Sequence, residues 1–223
     1  PYYHDLAKHA GFTKAKDFYA FFIDNTVEIA EKARRVAKIA KKKTGITVRP
    51  INLKDLKNEV ERIKQVYNSA WELNWGFVPM TDEEMDHLAA DLKKIAVPDI
   101  CLIAEVDGKP AGVSIAIPNI NEILHKLNGR LLPFGWLRFL LGFKKIKRVR
   151  VIIMGVVKEY RKRGIDAVFY VETFDRGKAL GYTEGEMGWI LEDNDIMNRS
   201  IEMFGGRLYR RYRLYEKYLS LIH

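Results

Sequence analysis

The chain has 223 residues, 48% apolar and 30% charged, with 38 Lys and Arg against 29 Asp and Glu, so its net charge is +9 and its pI about 9.5. That balance excludes a disordered chain, and a single cysteine, Cys101, excludes a disulfide framework or a cysteine-bound metal cluster. No apolar run reaches the ~18–20 residues of a membrane-spanning helix, and the first residues lack a secretory pattern, so a cytoplasmic location is expected.

The positive charge suits an anionic partner such as a nucleotide cosubstrate, nucleic acid or anionic lipid. The chain opens on Pro1-Tyr2-Tyr3 without an initiator Met, inside a dense pattern, and reads as a fragment or processed form of a longer polypeptide. Residues 1–25 predict a short helix, a turn at Gly11-Phe12, and a strand around Asp17–Ile23. Over 26–43, Val27, Ile29, Ala30, Ala33, Val36, Ala37, Ile39 and Ala40 recur at helical spacing among basic residues. This predicts a linker helix with a solvated basic face, ended by Lys41-Lys42-Lys43 and Gly45.

From Thr47 a second unit begins. Thr47–Leu53 reads as a strand and Leu53–Leu73 as a long helix. Thr81-Asp-Glu-Glu84 has the spacing of a capping box for a helix reaching about Ile95. After the turn at Pro98-Asp99, Ile100–Glu105 and Ala111–Pro118 form a hairpin about Asp107-Gly108. Asn121–Asn128 is a short helix. Leu131–Phe143 is an apolar segment broken by Pro133, Gly135 and Gly142, followed by Lys144, Lys145, Lys147 and Arg148. Packing on the parent domain is its expected fate, with peripheral membrane contact or the covering of a substrate tunnel as the alternatives.

Val151–Met154 is strand-like and leads through Lys158-Glu159-Tyr160-Arg161-Lys162-Arg163-Gly164 into a helix running to about Leu180. A strand feeding the positive end of a helix through a basic, glycine-containing turn is suited to phosphate oxygens. Thr183–Leu191 follows as a strand. Asp193 or Asn194 caps a helix up to Gly205-Gly206, and Arg207–Leu219 is a last strand rich in Tyr and Arg.

The turn lacks both the P-loop pattern and the Gly-x-Gly-x-x-Gly fingerprint. It resembles the pyrophosphate motif of the GNAT superfamily of acyl-CoA N-acyltransferases, Arg/Gln-x-x-Gly-x-Gly/Ala, with Arg161 and Gly164 matching and Asp166 departing from the usual small residue. Asn194 precedes Gly205 as Asn does in the family's Asn-x-x-Ala-x-x-x-Tyr-x-x-x-Gly-Phe segment, but the position of the family's Tyr is Ile201 and Gly-Phe is replaced by Gly205-Gly206. The resemblance spans about residues 47–219. It implies an α/β (α+β) fold with a mixed, mostly antiparallel sheet flanked by helices.

The resemblance further implies 47–223 as an acyltransferase domain with an insert at about 119–148. Residues 26–46 are then the linker, and 1–25 are similar to the last helix and strand of a preceding repeat, as in tandem GNAT proteins. It implies an acyl-CoA cosubstrate, acetyl-CoA as the default, and an unidentified small-molecule or peptide amine as acceptor. Met154, Gly155, Val156 and Val157 correspond to the strand edge that holds pantetheine. Arg161, Lys162, Arg163, Gly164, Ile165 and Asp166 correspond to the pyrophosphate turn, and Asn194 to the cofactor-side cap.

For the chemistry, Glu192 is expected as general base, with Glu186 on the same strand, and Tyr212 as the acid, with Tyr209 beside it. Trp71, Trp75, Phe77, Trp136 and Trp189 are candidate walls of an acceptor pocket. His4, His9, His87, His125 and His223 show no metal-ligand spacing, so no metal is expected. Two further readings compete: a degenerate fold that binds CoA or another ligand without turnover, and a Fem-type aminoacyl transferase using charged tRNA.

Overall fold

The computed structural model describes residues 2–43, 45–72, 74–130 and 132–218. Expectations that fall on Leu73, Leu131, Leu219 and His223 lie outside the described residues. In chain order the elements are α1 (Tyr3–His9), β1 (Thr13–Asp24), α2 (Glu31–Lys43), β2 (Ile46–Pro50), α3 (Leu56–Trp71), α4 (Asp82–Lys93), β3 (Cys101–Val106) and β4 (Lys109–Pro118). There follow α5 (Asn121–Leu127), α6 (Gly135–Phe143), β5 (Arg148–Val156), α7 (Ile165–Ala179), β6 (Glu184–Leu191), α8 (Asp195–Met203) and β7 (Arg207–Glu216).

Local chemistry sets several of these boundaries. Thr81 Oγ1 accepts from Glu84 N–H at 3.2 Å while the Glu84 carboxylate accepts from Thr81 N–H at 2.9 Å, so both orphan donors at the start of α4 are met. Asp107 and Gly108 take φ of 51° and 76°, the left-handed pair that a two-residue hairpin requires. The helix expected from Leu53 starts instead as a 3-10 turn over Leu53–Asp55, because Asn52 caps it by accepting from Lys54 N–H.

The sheet has seven strands in the order β2-β3-β4-β5-β6-β1-β7. Only β5 and β6 run parallel; every other neighbouring pair is antiparallel. The mixed, mostly antiparallel sheet implied by the sequence is therefore observed. One side carries α2, α7 and α8 over a core that includes Phe21, Leu102, Val168, Phe169 and Ile201. The other side carries α3 over Ile51, Cys101, Ile103, Val113 and Ile115. Phe21 and Phe169 are essentially fully buried, each contributing roughly 2–3 kcal/mol by removal from water.

The boundaries drawn at 25/26 and 46/47 do not coincide with breaks in packing. β1 lies between β6 and β7, so the sheet is continuous only with it present. The helix read as a linker presents Ala33, Ala37 and Ala40 to the main core, and these small side chains let α2 lie close against α7. Its polar face adds Arg34 to Asp175 at 2.7 and 2.9 Å and Lys41 to Glu172.

Candidate functional site

β5 and β6 pair in parallel only from Arg148/Glu184 to Val151/Met187. Beyond that point the strands splay. β6 also carries an extra residue there: Tyr19 faces Ile190 while Phe21 faces Met187, a bulge at Gly188-Trp189. The gap opens into a groove of about 710 Å³. Its floor is Val151, Met154 and Val156, one wall is Gly188–Leu191, and its far end is the turn and helix start at Arg161, Lys162, Ile165 and Asp166.

The ladder decides which backbone groups face this groove. Val157 N–H donates to Ala111 O at 2.9 Å, toward β4. Alternation along an antiparallel pair then turns the peptide groups of Met154 and Val156 the other way, into the gap. Val156 O is taken by Arg161 Nε at 3.2 Å. Of the four strand residues expected to hold a pantetheine arm, Met154 and Val156 therefore offer N–H groups, whereas Val157 is committed to β4.

Gly155 serves another purpose than expected. A Cβ there would overlap the Trp71 ring and lie 3.0 Å from the Ala70 Cβ, so its missing side chain admits the end of α3 rather than a cofactor. Arg161 is also tied to α3: Nη2 donates to Ala70 O at 2.8 Å. Arg163 lies over the Tyr160 ring at 5.2 Å. Lys162, at φ 63°, and Gly164, at φ 83°, both take left-handed backbone and bend the turn into the start of α7, whose first N–H groups lack intrahelical acceptors. Ile165 lines the groove and is otherwise buried.

Asp166 stands in the first turn of α7, where its charge complements the helix dipole, and it lines the groove. It faces Tyr170, whose phenol is raised well above the ordinary range by burial first and by Asp166 second. Asn194 lines the groove and caps α8 by accepting from Met197 N–H at 3.2 Å. Ile201 is fully buried, and Gly206 is small because Ile201 occupies the place its side chain would need.

The structure moves both catalytic candidates. Glu192 does not line the groove; it accepts from Lys14 Nζ at 2.6 Å and Asp17 N–H at 3.1 Å, and the Lys14 hydrogen bond lowers its carboxyl below the usual range. Its partners lie 175 or more residues away on β1, which is why the local pattern gave no sign of them. Tyr212 meets Trp189 with tilted rings whose centres are 5.3 Å apart, at the edge of the groove rather than in it.

Glu186 does not line the groove either: it is buried one residue before the last β5–β6 pair, and it accepts from Tyr209 Oη at 2.5 Å and Arg150 Nε at 3.1 Å. Burial first, then Glu186, pushes the Tyr209 phenol up to about 12.

Of the aromatic candidates, Trp71, Trp75, Phe77 and Trp189 line the groove, while Trp136 lies on α6. Sequence reading missed Tyr67, which stacks on Trp71 at 4.9 Å, and Phe18, which meets Trp75 edge-on at 6.3 Å. Tyr67 lies one helical turn before Trp71, and that spacing was a usable signal. A second, smaller cavity of about 70 Å³ lies between the sheet and α7 and shares Val151, Met154, Tyr170 and Met187 with the groove.

A splayed parallel pair inside an otherwise antiparallel sheet, with a basic turn at the end of the gap, defines the GNAT fold, and the chain has that fold. The crystal structure of a GCN5-related N-acetyltransferase from Sphaerobacter thermophilus superposes with a TM-score of 0.62 at 16% identity, covering 96% of this chain and 55% of that one. A tandem GNAT protein from the clavulanic acid biosynthesis pathway gives 0.57 at 11% identity, covering 95% and 57%.

Among curated proteins, the chain is 38% identical over 215 residues to the bacterial ceramide synthase of Caulobacter vibrioides, which covers 94% of this chain and 56% of that protein. It is 35% identical over 227 residues to protein YghO of Escherichia coli, covering 97% and 57%. The chain thus spans a little over half the length of the curated relatives it matches. No protein-family profile matches it.

Proposed function

We propose that the chain is the acyl-CoA-binding part of an N-acyltransferase that moves an acyl group from CoA to the amine of a hydrophobic acceptor. The observation that carries this reading is the splay beyond Val151/Met187, which leaves the N–H groups of Met154 and Val156 facing a groove that ends at Lys162 and the start of α7. Those N–H groups suit the amides and thioester carbonyl of an acyl-pantetheine arm, and the turn suits its pyrophosphate. CoA, a cosubstrate here, fits the backbone donors and the cation better than it fits Asp166.

Acetyl was the default expected for the acyl group; a longer chain is the reading supported by two observations together. One relative is named a ceramide synthase, and a ceramide is a fatty amide of a long-chain amino alcohol. The groove also shares Val151, Met154, Tyr170 and Met187 with a smaller, mostly apolar cavity that suits methylene groups. Tyr170 lines both cavities, and its hydroxyl is suited to donating a hydrogen bond to the departing thiolate. In this reading β1 and α1 close a preceding repeat of a tandem protein, as the likeness to a tandem GNAT structure supports.

A second reading is a CoA-binding fold without turnover, favoured by the acidic Asp166 in the groove and by Arg161 being spent on α3. Calorimetry with acetyl-CoA and acyl-CoAs of increasing length, followed by thiol release with long-chain amino alcohols, tests both. Burial of each methylene is worth ~0.8 kcal/mol, so affinity should rise about fourfold per carbon until the pocket is full. No binding at any length overturns the proposal, and binding without thiol release leaves the second reading.

A further inference from the structure

We infer that the α5–α6 insert docks the protein onto the surface of an anionic lipid bilayer. The inference does not depend on the acyl-transfer reading. One side of α6, through Phe139, Gly142 and Phe143, packs on Ile123, Leu127 and Ile146 as a small satellite core. The other side stays largely exposed among the described residues. Trp136 and Leu140, and Leu137 and Leu141, recur at four-residue spacing as one stripe, exposed by 51%, 58%, 42% and 63%. Leu132 and Phe134 extend it on the approach, at 81% and 70%. Single exposed apolar residues are ordinary on a protein surface, but a contiguous stripe of six marks a docking face.

Charge selects the occupant. Residues 119–147 hold six Lys and Arg against one acid, Glu122. That acid is turned inward, accepting from Lys147 and Arg148 N–H at 3.3 and 3.1 Å, so the cations around the stripe, including Arg138, Lys144 and Lys145, are not neutralised by it. A second copy of this face would bring the same sign of charge against itself. An anionic bilayer complements both features, the headgroups meeting the cations and the acyl boundary receiving the stripe. At nine residues α6 is about 14 Å long, well short of the ~30 Å hydrocarbon core, so it lies along the surface. No helix among the described residues is long and apolar enough to cross a membrane.

The test is co-sedimentation of the whole chain with vesicles of phosphatidylcholine alone and of equal parts phosphatidylcholine and phosphatidylglycerol, at low salt. The chain is expected to pellet with the mixed vesicles and to stay in solution with the neutral ones. Leu140→Ser with Leu141→Ser should weaken partition at least tenfold, and Lys144→Gln with Lys145→Gln about fivefold per cation, with unchanged thermal melting because all four side chains are exposed. Pelleting that is absent, that is equal on neutral vesicles, or that survives loss of the two leucines, which would reduce it to net charge, overturns the inference. So does a change in gel-filtration size on removing the leucines without vesicles, which would make the stripe a protein contact.

Discussion

Asp17 on β1 and Arg213 on β7 form a two-pronged ion pair across the sheet, Nε to Oδ1 at 2.7 Å and Nη2 to Oδ2 at 2.9 Å, between residues 196 apart in sequence. Lys14 reaches both Asp17, at 3.3 Å, and Glu192, at 2.6 Å, so the same network fastens β1 to β6 and β7 at once. Asp17 is 1% exposed, and a buried carboxylate held this way costs more to orphan than the pair itself contributes.

The Arg213 hydrogen bonds hold the Asp17 carboxyl at about 2, against 3.8 ordinarily. A depressed folded-state pKa contributes stability that is complete above the unfolded value and lost as pH falls through the folded one. Acid titration followed by circular dichroism should therefore show about 2 kcal/mol of stability disappearing between about pH 4 and pH 2. Asp17→Asn should cost about 3 kcal/mol at neutral pH and remove that acid-dependent part. An unchanged acid limb in the variant would show that other carboxylates govern it.

Gly155→Ala should destabilise the chain by about 1–3 kcal/mol, because a Cβ overlaps the Trp71 ring and the floor of the groove cannot yield without parting β4 from β5. Trp71→Leu in the same chain should restore part of the loss by making room. Thermal melting of the single and double variants measures this; additive losses would show that the ring is not what Gly155 admits.

Much of this arrangement was legible in advance. The Asp107-Gly108 hairpin, the Thr81–Glu84 box, the basic turn before α7 and the mixed, mostly antiparallel sheet all follow from patterns within some twenty residues or from the resemblance they carry. Partner choice across the sheet did not follow. The strand signal at Asp17–Ile23 gives a period and a face but not its neighbours, so the placing of β1 between β6 and β7, and the capture of Glu192 by Lys14 and Asp17, required the structure. Gly155 and Arg161 matched a cofactor motif in sequence, and both are turned toward α3, an element distant in the chain.

Arg161→Lys should lower stability by about 1–3 kcal/mol, since an ammonium keeps the charge but cannot span Val156 O and Ala70 O as the guanidinium does. CoA affinity measured on the folded variant should fall less than tenfold. Lys162→Ala, with its side chain at the groove, should show the reverse balance: little change in melting and a larger, salt-sensitive loss of CoA affinity. If both variants lose only affinity, Arg161 belongs to the pyrophosphate site after all.

Gly177 gives the sharpest handle on acyl length. It is buried in the body of α7 and lines the small cavity, and a Cβ placed there meets nothing within 4 Å. A glycine at such a position costs roughly 1 kcal/mol of helix stability relative to Ala, with no close neighbour to require it. What its absence of side chain does preserve is the open volume beyond Met154 and Met187. Gly177→Ala should therefore raise the melting temperature while leaving acetyl-CoA binding intact. Gly177→Leu should fill the cavity, keep acetyl-CoA affinity within about twofold, and lower the affinity for long acyl-CoAs by about fourfold for each methylene excluded. Equal affinities for long acyl-CoAs in wild type and Gly177→Leu, with the variant folded, would place the chain outside this cavity and turn attention to the aromatic wall at Tyr67, Trp71 and Trp75 instead.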